Sequence, residues 1–406
     1  MNKQLTILLI GRIFTNFADS FYLVATVWYV KSLTDSTLLV GITSAIGILP
    51  VTLQFLYGPI IDRFSKQRIL YFSVIGQAIL VGMISIFYFF DVLWIPLLLF
   101  LMYVALSFSE ITYPTESALI ERLTKRENLT KVNSIFAFSY QSLDMICNAI
   151  SGLLITFIGL GFIYLSNSMM LFLTGLIFLF YLKVPRSDKE SEPVSNGFFE
   201  QYKIDFIEGY RIVRKQKILL NILFGIIGIN FMATMGIAML PIISNNAAEY
   251  GFWLTAMSVG TLVGTTLSSK LENLPLNRLM PTISLLSGTS WIFAIIVNEQ
   301  FLIPYILFGL AWTGVGVLSV FVYTLIQVNL PKDYIGSGFA FLTSLLGSLS
   351  PIGYLLGGIL GELTSEYIIL LIAGTGYLLF TVYFLSNPLL NKINHGLLVQ
   401  LEKSHS

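Results

Sequence analysis

The chain has 406 residues, of which 55% are hydrophobic and 11% charged; its formal net charge is +1 and its mean hydropathy +0.81. Soluble domains carry about 25% charged residues, so an ordinary globular protein is excluded, and with no basic excess no nucleic-acid partner is expected. The single cysteine, Cys147, and two histidines confined to the C-terminal tail, His395 and His405, exclude a disulfide framework, a Cys-based metal site and a histidine-centred catalytic site within the apolar body.

Crossing about 30 Å of hydrocarbon takes roughly 20 apolar residues in a helix. Runs of that kind recur at 5–30, 38–61, 69–90, 92–112, 133–157, 160–182, 218–243, 250–269, 279–297, 302–327, 338–360 and 367–386. Lipid offers no partner for an unpaired backbone amide, so these runs are expected to be helices. They lack the ten-residue alternation of a membrane barrel. The first run is too long for a signal-peptide core and no small-residue cleavage site follows it.

Span 1 carries Arg12, Asn16, Asp19 and Tyr22 inside an apolar run. A charge at the bilayer centre costs at least about 2.5–3.5 kcal/mol, so such residues face a wet cavity or a partner. Arg12 and Asp19 share a helix face but stand about 10 Å apart, too far for a direct pair; each is expected to have another partner. Between spans 2 and 3 lies a charged loop with Gly58, Asp62, Arg63, Lys66 and Arg68. Glu110 and Glu116 lie near the end of span 4, and span 5 holds a polar stripe of Gln141, Asp144, Asn148 and Ser151 at helical spacing. The embedded charges all fall in the first half, which makes Asp19, Asp144 and Glu110 the candidates for proton binding.

The one long hydrophilic stretch, 183–217, ends in a segment that places Phe199, Tyr202, Phe206 and Tyr210 on one helical face. It reads as an amphipathic surface helix dividing the chain into residues 1–182, a linker at 183–217, residues 218–386 and a tail at 387–406. The halves echo each other: Gly11-x4-Asn16-Phe17 in span 1 recurs as Gly225-x4-Asn230-Phe231 in span 7. A six-plus-six repeat with a substrate site near the midplane is the build of secondary transporters. Span 10 adds Trp312 and Tyr323, and spans 8 and 11 carry glycines every fourth residue, at Gly260 and Gly264 and at Gly353, Gly357 and Gly361. Such faces let helices approach closely.

With the N-terminus inside, 21 of the 23 lysines and arginines fall in cytoplasmic segments; Lys31 faces out and Arg12 is embedded. That bias predicts cytoplasmic N- and C-termini and an even number of spans.

The loop Gly58-x3-Asp62-Arg63-x2-Lys66-x-Arg68 resembles the loop 2–3 signature of the major facilitator superfamily. Pro114-Thr-Glu-Ser-Ala-Leu-Ile-Glu121 after span 4, Asn133-Ser134, Glu208-Gly-Tyr-Arg211 and Tyr250-Gly-Phe252 add a resemblance to its bacterial macrolide-efflux-type exporters. Ser65 stands where the loop signature usually has a second glycine, and the Gly-Pro pattern of antiporter span 5 is replaced by Cys147-Asn-Ala-Ile-Ser-Gly152. The resemblance implies an all-α membrane protein of twelve transmembrane helices arranged as two six-helix pseudo-symmetric bundles, in a bacterial plasma membrane and monomeric. It implies a secondary-active exporter of a hydrophobic or amphipathic small molecule, coupled to protons. It also places parts of spans 1, 4, 7 and 10 on a central cavity, where Arg12, Asn16, Tyr22, Gln141, Asn230, Trp312 and Tyr323 are the candidate lining residues, and spans 2, 5, 8 and 11 between the halves. Asp62 with Arg63 reads as a cytoplasmic gate, with Lys66 and Arg68 pairing to Glu110, Glu116 or Glu121. No metal cluster and no Gly-rich phosphate motif ending in Gly-Lys-Ser/Thr occurs, so no metal, cofactor, ATP or enzymatic activity is expected. The competing readings are an importer of a small nutrient and a non-transporting sensor or immunity protein.

Overall fold

The computed structural model describes residues 3–53, 65–124, 128–184, 217–297, 302–329, 342, 344–391 and 393, and among them it consists of helices and short connections. The side chains of a few helical residues, Gln141 and Asp144 among them, lie outside the description, as do Gly58, Asp62, Arg63 and the segment expected to form the amphipathic helix. Twelve helices of 14 or more residues are described: α1 Lys3–Thr34, α2 Thr37–Thr52, α3 Lys66–Phe89, α4 Ile95–Leu123, α5 Leu129–Ile158, α6 Leu160–Tyr181, α7 Lys217–Ile237, α8 Ala247–Leu271, α9 Leu276–Ile296, α10 Ile303–Asn329, α11 Ser350–Leu363 and α12 Glu366–Ser386. A helical turn, Leu240–Ile243, extends α7. Among the described residues nine helices are long and apolar enough to cross a membrane. Of the remaining three, α2 has only 16 described residues, while α5 and α8 are long helices diluted by serine, threonine, asparagine and glycine.

The chain divides into two compact units: Met1–Leu33 with Ile46–Phe198, and Thr34–Ala45 with Phe199–Ser406. In the first unit α3 packs along α6 and α4. Small residues permit it: Ser168 Oγ donates to the Ala78 carbonyl at 2.8 Å and Ser85 Oγ to that of Gly161 at 3.1 Å. A Cβ at Gly82 would stand 2.8 Å from Ser168 Oγ. α1 joins this body through Thr26, whose hydroxyl meets the Tyr164 hydroxyl at 3.0 Å.

The second unit is built on bare backbone. A Cβ on Gly260 would run into the Gly309 carbonyl, one on Gly264 into that of Thr313, and one on Gly316 into that of Thr261, so α8 and α10 touch main chain to main chain. Gly353 and Gly357 pack α11 on the Phe231 and Met235 carbonyls of α7, the latter 2.6 Å from a Cβ position. The close approach expected of these glycine faces is thus made, for Gly260, Gly264, Gly353 and Gly357, against backbone of the same unit. The start of α2 belongs here too: Thr37 Oγ1 donates to the Gly358 carbonyl and to Glu362 Oε2, both at 2.9 Å. Trp253 and Trp291, both fully buried, anchor an aromatic core with Tyr305 and Phe308. Trp291 Nε1 donates to the Leu370 carbonyl at 2.9 Å.

A backbone carbonyl cannot swing aside as a side chain can, so Gly260→Ala forces α8 and α10 apart. Overpacking of this kind costs about 1–3 kcal/mol. The expected result is a lower unfolding temperature in detergent, measured by thermal-shift fluorescence, with less folded protein on size exclusion.

Candidate functional site

The embedded charges with described side chains, Arg12 and Asp19 on α1 and Glu110 and Glu116 on α4, lie on two helices bridged to α3 and α5 by side-chain contacts. Arg12 lies on α1, nearly buried, and its Nη1 is 3.4 Å from Glu116 Oε2 on α4. Its guanidinium carbon sits 4.7 Å from the ring centre of Tyr113 and 4.8 Å from that of Tyr140, so two tyrosines from α4 and α5 clamp the cation. Each such contact is worth about 0.5–2 kcal/mol depending on desolvation. Glu116 is buried and its second oxygen, Oε1, has no hydrogen bond. Of the three carboxylates expected to meet Lys66 or Arg68 (Glu110, Glu116 or Glu121), Glu116 is the one that Arg12 reaches from inside the bundle.

Seven residues along α1, two turns away, Asp19 is held differently. Oδ1 accepts from Gln77 Nε2 on α3 and Oδ2 from Ser109 Oγ on α4. Both donors are neutral. Asp19 is part-buried and keeps some accessible surface, as does Glu110, one residue from Ser109. Tyr22 is wholly buried one turn on from Asp19, and its hydroxyl makes no hydrogen bond of normal geometry. In α4 Pro114 sits between Glu110 and Glu116; lacking an N–H, it cannot close the helical bond to the Glu110 carbonyl.

Asn16 and Asn230 occupy matching places. Asn16 Nδ2 donates to the Tyr140 carbonyl of α5 at 3.1 Å, and Asn230 Nδ2 donates to the Leu346 carbonyl, on the stretch leading into α11, also at 3.1 Å. Their companion glycines match as well: a Cβ on Gly11 would strike the Phe178 ring of α6, and one on Gly225 the Phe380 ring of α12. In the second unit Asn230 and Tyr323 line a cavity of about 250 Å³ walled mainly by Ile226, Leu318, Val322 and Leu346. Trp312 is placed otherwise, 6.3 Å between ring centres from both Trp291 and Phe308, with its Nε1 buried and unbonded. Asp144 and Gln141 have no described side chains; on the same helix Ser151 is fully buried and donates to the Asn148 carbonyl at 2.9 Å.

Gln77, Ser109, Tyr113 and Tyr140 join the site only in three dimensions. Gln77 carried a readable signal, since it is the amide side chain in the apolar run of α3 and is buried to 1% exposure. The tyrosines carried none, because aromatic residues make up 14% of the chain.

A helical body with an ionic cluster inside its spans is what a solute path requires, and comparison with known proteins agrees. Over 403 residues the chain is 23% identical to the uncharacterized MFS-type transporter YvqJ of Bacillus subtilis (strain 168), covering 93% of this chain and 92% of the other. Among solved structures it resembles a POT family transporter in complex with 5-aminolevulinic acid, with a TM-score of 0.70, 12% identity and coverage of 93% and 94%. It also resembles a D-xylose-proton symporter, with a TM-score of 0.69, 10% identity and coverage of 97% and 99%. A third is a bacterial homolog of the human lysosomal transporter Spinster in an inward-facing, unoccupied conformation, with a TM-score of 0.66, 14% identity and coverage of 96% and 100%. The family model of the Major Facilitator Superfamily matches residues 8–354, and the chain belongs to that superfamily of membrane transporters.

Proposed function

We propose that the protein is a proton-coupled secondary exporter of a hydrophobic or amphipathic compound. It works by alternating access, as a monomer, in a bacterial plasma membrane with both termini cytoplasmic. Within the superfamily its motifs resemble those of the macrolide-efflux-type exporters, and the Asp62–Arg63 loop serves as its cytoplasmic gate.

The observation that carries the reading is the contrast between the two ionic sites of the first unit. Arg12 and Glu116 neutralise each other and are locked by tyrosines. Asp19 has neutral donors on both oxygens and an accessible edge, so it can gain and lose a proton without breaking an ion pair. Glu110 and Asp144 are the second carriers proposed for the same half. The matched bonds of Asn16 and Asn230 support a repeat of residues 1–182 and 218–386, joined by a cytoplasmic linker at 183–217 and followed by a tail at 387–406. The cavity beside Asn230 and Tyr323 is apolar with few polar groups, which suits a lipophilic solute.

The test is expression in an efflux-deficient bacterium challenged with antibiotics, dyes and peptides, with and without a protonophore. Resistance to at least one compound, lost with the protonophore, is the expected result. Resistance that survives the protonophore removes the proton coupling. Accumulation of a nutrient instead of expulsion of a drug makes the protein an importer.

A further inference from the structure

The cavity beside Asn230 is walled by α7, α10, α12 and the stretch leading into α11, all within the second unit. Most of the wall is aliphatic, from Ile226, Ile229, Val315, Leu318, Val322 and Leu346. Among the described residues no charged side chain lines it. An ion entering such a wall gives up its water and finds no opposite charge in return. An uncharged solute meets no such barrier.

Three polar side chains of the lining keep unused hydrogen-bonding capacity. Tyr377 is 2% exposed, yet its hydroxyl has no partner among the described residues. Leaving a buried hydroxyl unpaired is costly, so it takes a partner from outside the chain, water or solute. Asn230 spends one N–H on the Leu346 carbonyl at 3.1 Å; its Oδ1 and second N–H remain open. Ser319 Oγ donates to the Gly316 carbonyl at 2.8 Å and keeps its acceptor capacity. The wall therefore offers a hydroxyl donor, an amide that gives and accepts, and a further acceptor.

We propose, resting on the transport reading above, that this cavity selects the transported compound by an uncharged group that pairs a carbonyl with an N–H or O–H, as an amide or carbamate does. The carbonyl accepts from the Tyr377 hydroxyl, and the N–H donates to Asn230 Oδ1 or Ser319 Oγ. The aliphatic wall covers the flanking hydrocarbon. At about 250 Å³ the cavity is smaller than the roughly 300–1,000 Å³ that encloses a drug-sized ligand, so it takes one part of a larger compound. Carboxylates and amines are rejected for want of a counter-charge.

The test is tryptophan fluorescence of the full-length protein in nanodiscs, since the Trp291 ring lies 6.0 Å between centres from that of Tyr377. The probes are N-butylbenzamide, butyl benzyl ether, 4-butylbenzoate and 4-butylbenzylamine, all of similar size. The amide is expected to bind about tenfold tighter than the ether, the scale of two hydrogen bonds, and the two ions do not displace it. Tyr377→Phe weakens the amide about fivefold and leaves the ether unchanged, whereas a merely structural role moves both. A Cβ on Gly347 meets nothing within 4 Å, so Gly347→Phe fills the cavity and abolishes binding of both. Leu318→Trp does the same from α10 if Gly347→Phe misfolds. Equal affinity for amide and ether assigns the Tyr377 hydroxyl to water and overturns the proposed class, as does ion binding that matches the amide. Undiminished amide binding in both filled variants overturns the site. No gradient is applied, so drug resistance without amide binding removes this inference alone, while amide binding without resistance removes the export reading and keeps the site.

Discussion

Asp19→Asn abolishes proton-driven transport in inverted membrane vesicles while protein level and size-exclusion profile stay at wild type. Asparagine keeps the shape of the side chain and an acceptor oxygen for Gln77 or Ser109, so the contacts between α1, α3 and α4 persist. What it removes is the titratable oxygen. Pumping against a gradient drops to background, whereas substrate-for-substrate exchange, which needs no net proton movement, continues. Asp19→Glu keeps a carboxyl and retains part of the activity. Wild-type pumping by Asp19→Asn moves the proton site to Glu110 or Asp144; loss of both pumping and exchange assigns Asp19 to structure instead. Ser109→Ala and Gln77→Leu, each removing one donor, shift the pH at which pumping is half-maximal rather than abolish it.

Breaking the Arg12–Glu116 pair has the largest expected effect on stability. Arg12→Leu leaves the Glu116 carboxylate buried at 2% exposure with no cation, and one of its oxygens is already unbonded. Removing one partner of a buried pair costs about 3–5 kcal/mol. It also strips the clamp of Tyr113 and Tyr140 of its cation. Most of the protein is then expected to be lost from the membrane fraction. Glu116→Gln is milder, because Arg12 keeps a polar neighbour and both rings. The double variant Arg12→Leu with Glu116→Leu recovers much of the loss, since replacing a whole buried pair with apolar side chains is often neutral or stabilising. Thermal unfolding in detergent of wild type, Arg12→Leu, Glu116→Leu and the double variant forms a double-mutant cycle. A double variant no more stable than Arg12→Leu alone shows that the pair does not act as a unit.

These results divide what was readable in the chain from what was not. The nine long apolar helices among the described residues came through because hydrocarbon imposes them: α1, α3 and α6 are apolar runs whose ends coincide with charges or glycines. The runs at 133–157 and 250–269 are helical too, as α5 and α8, though serine, threonine, asparagine and glycine dilute them. That Arg12 and Asp19 would find separate partners followed from their spacing on one helix. Which partners they find did not, because Glu116 is 104 residues away from Arg12 and Gln77 is 58 residues away from Asp19, and no local pattern joins them. The glycine stripes were legible only in part, for a related reason. Gly260 and Gly357 announce close approach, but not whether a neighbour in the same unit or a moving partner does the approaching. The Asn16 and Asn230 repeat was visible as a motif, and its meaning, an amide tying α1 to α5 and α7 to the α11 stretch, appears only with the carbonyls in view.

The most direct measurement is proton flux itself. Wild-type protein is reconstituted into liposomes containing a pH-sensitive dye, with an exported compound from the resistance panel loaded on one side and no imposed pH gradient. Downhill movement of the compound is expected to drive protons the opposite way, producing a dye signal that the protonophore collapses and that Asp19→Asn lacks. Compound movement with no accompanying proton signal in the wild type contradicts proton-coupled export.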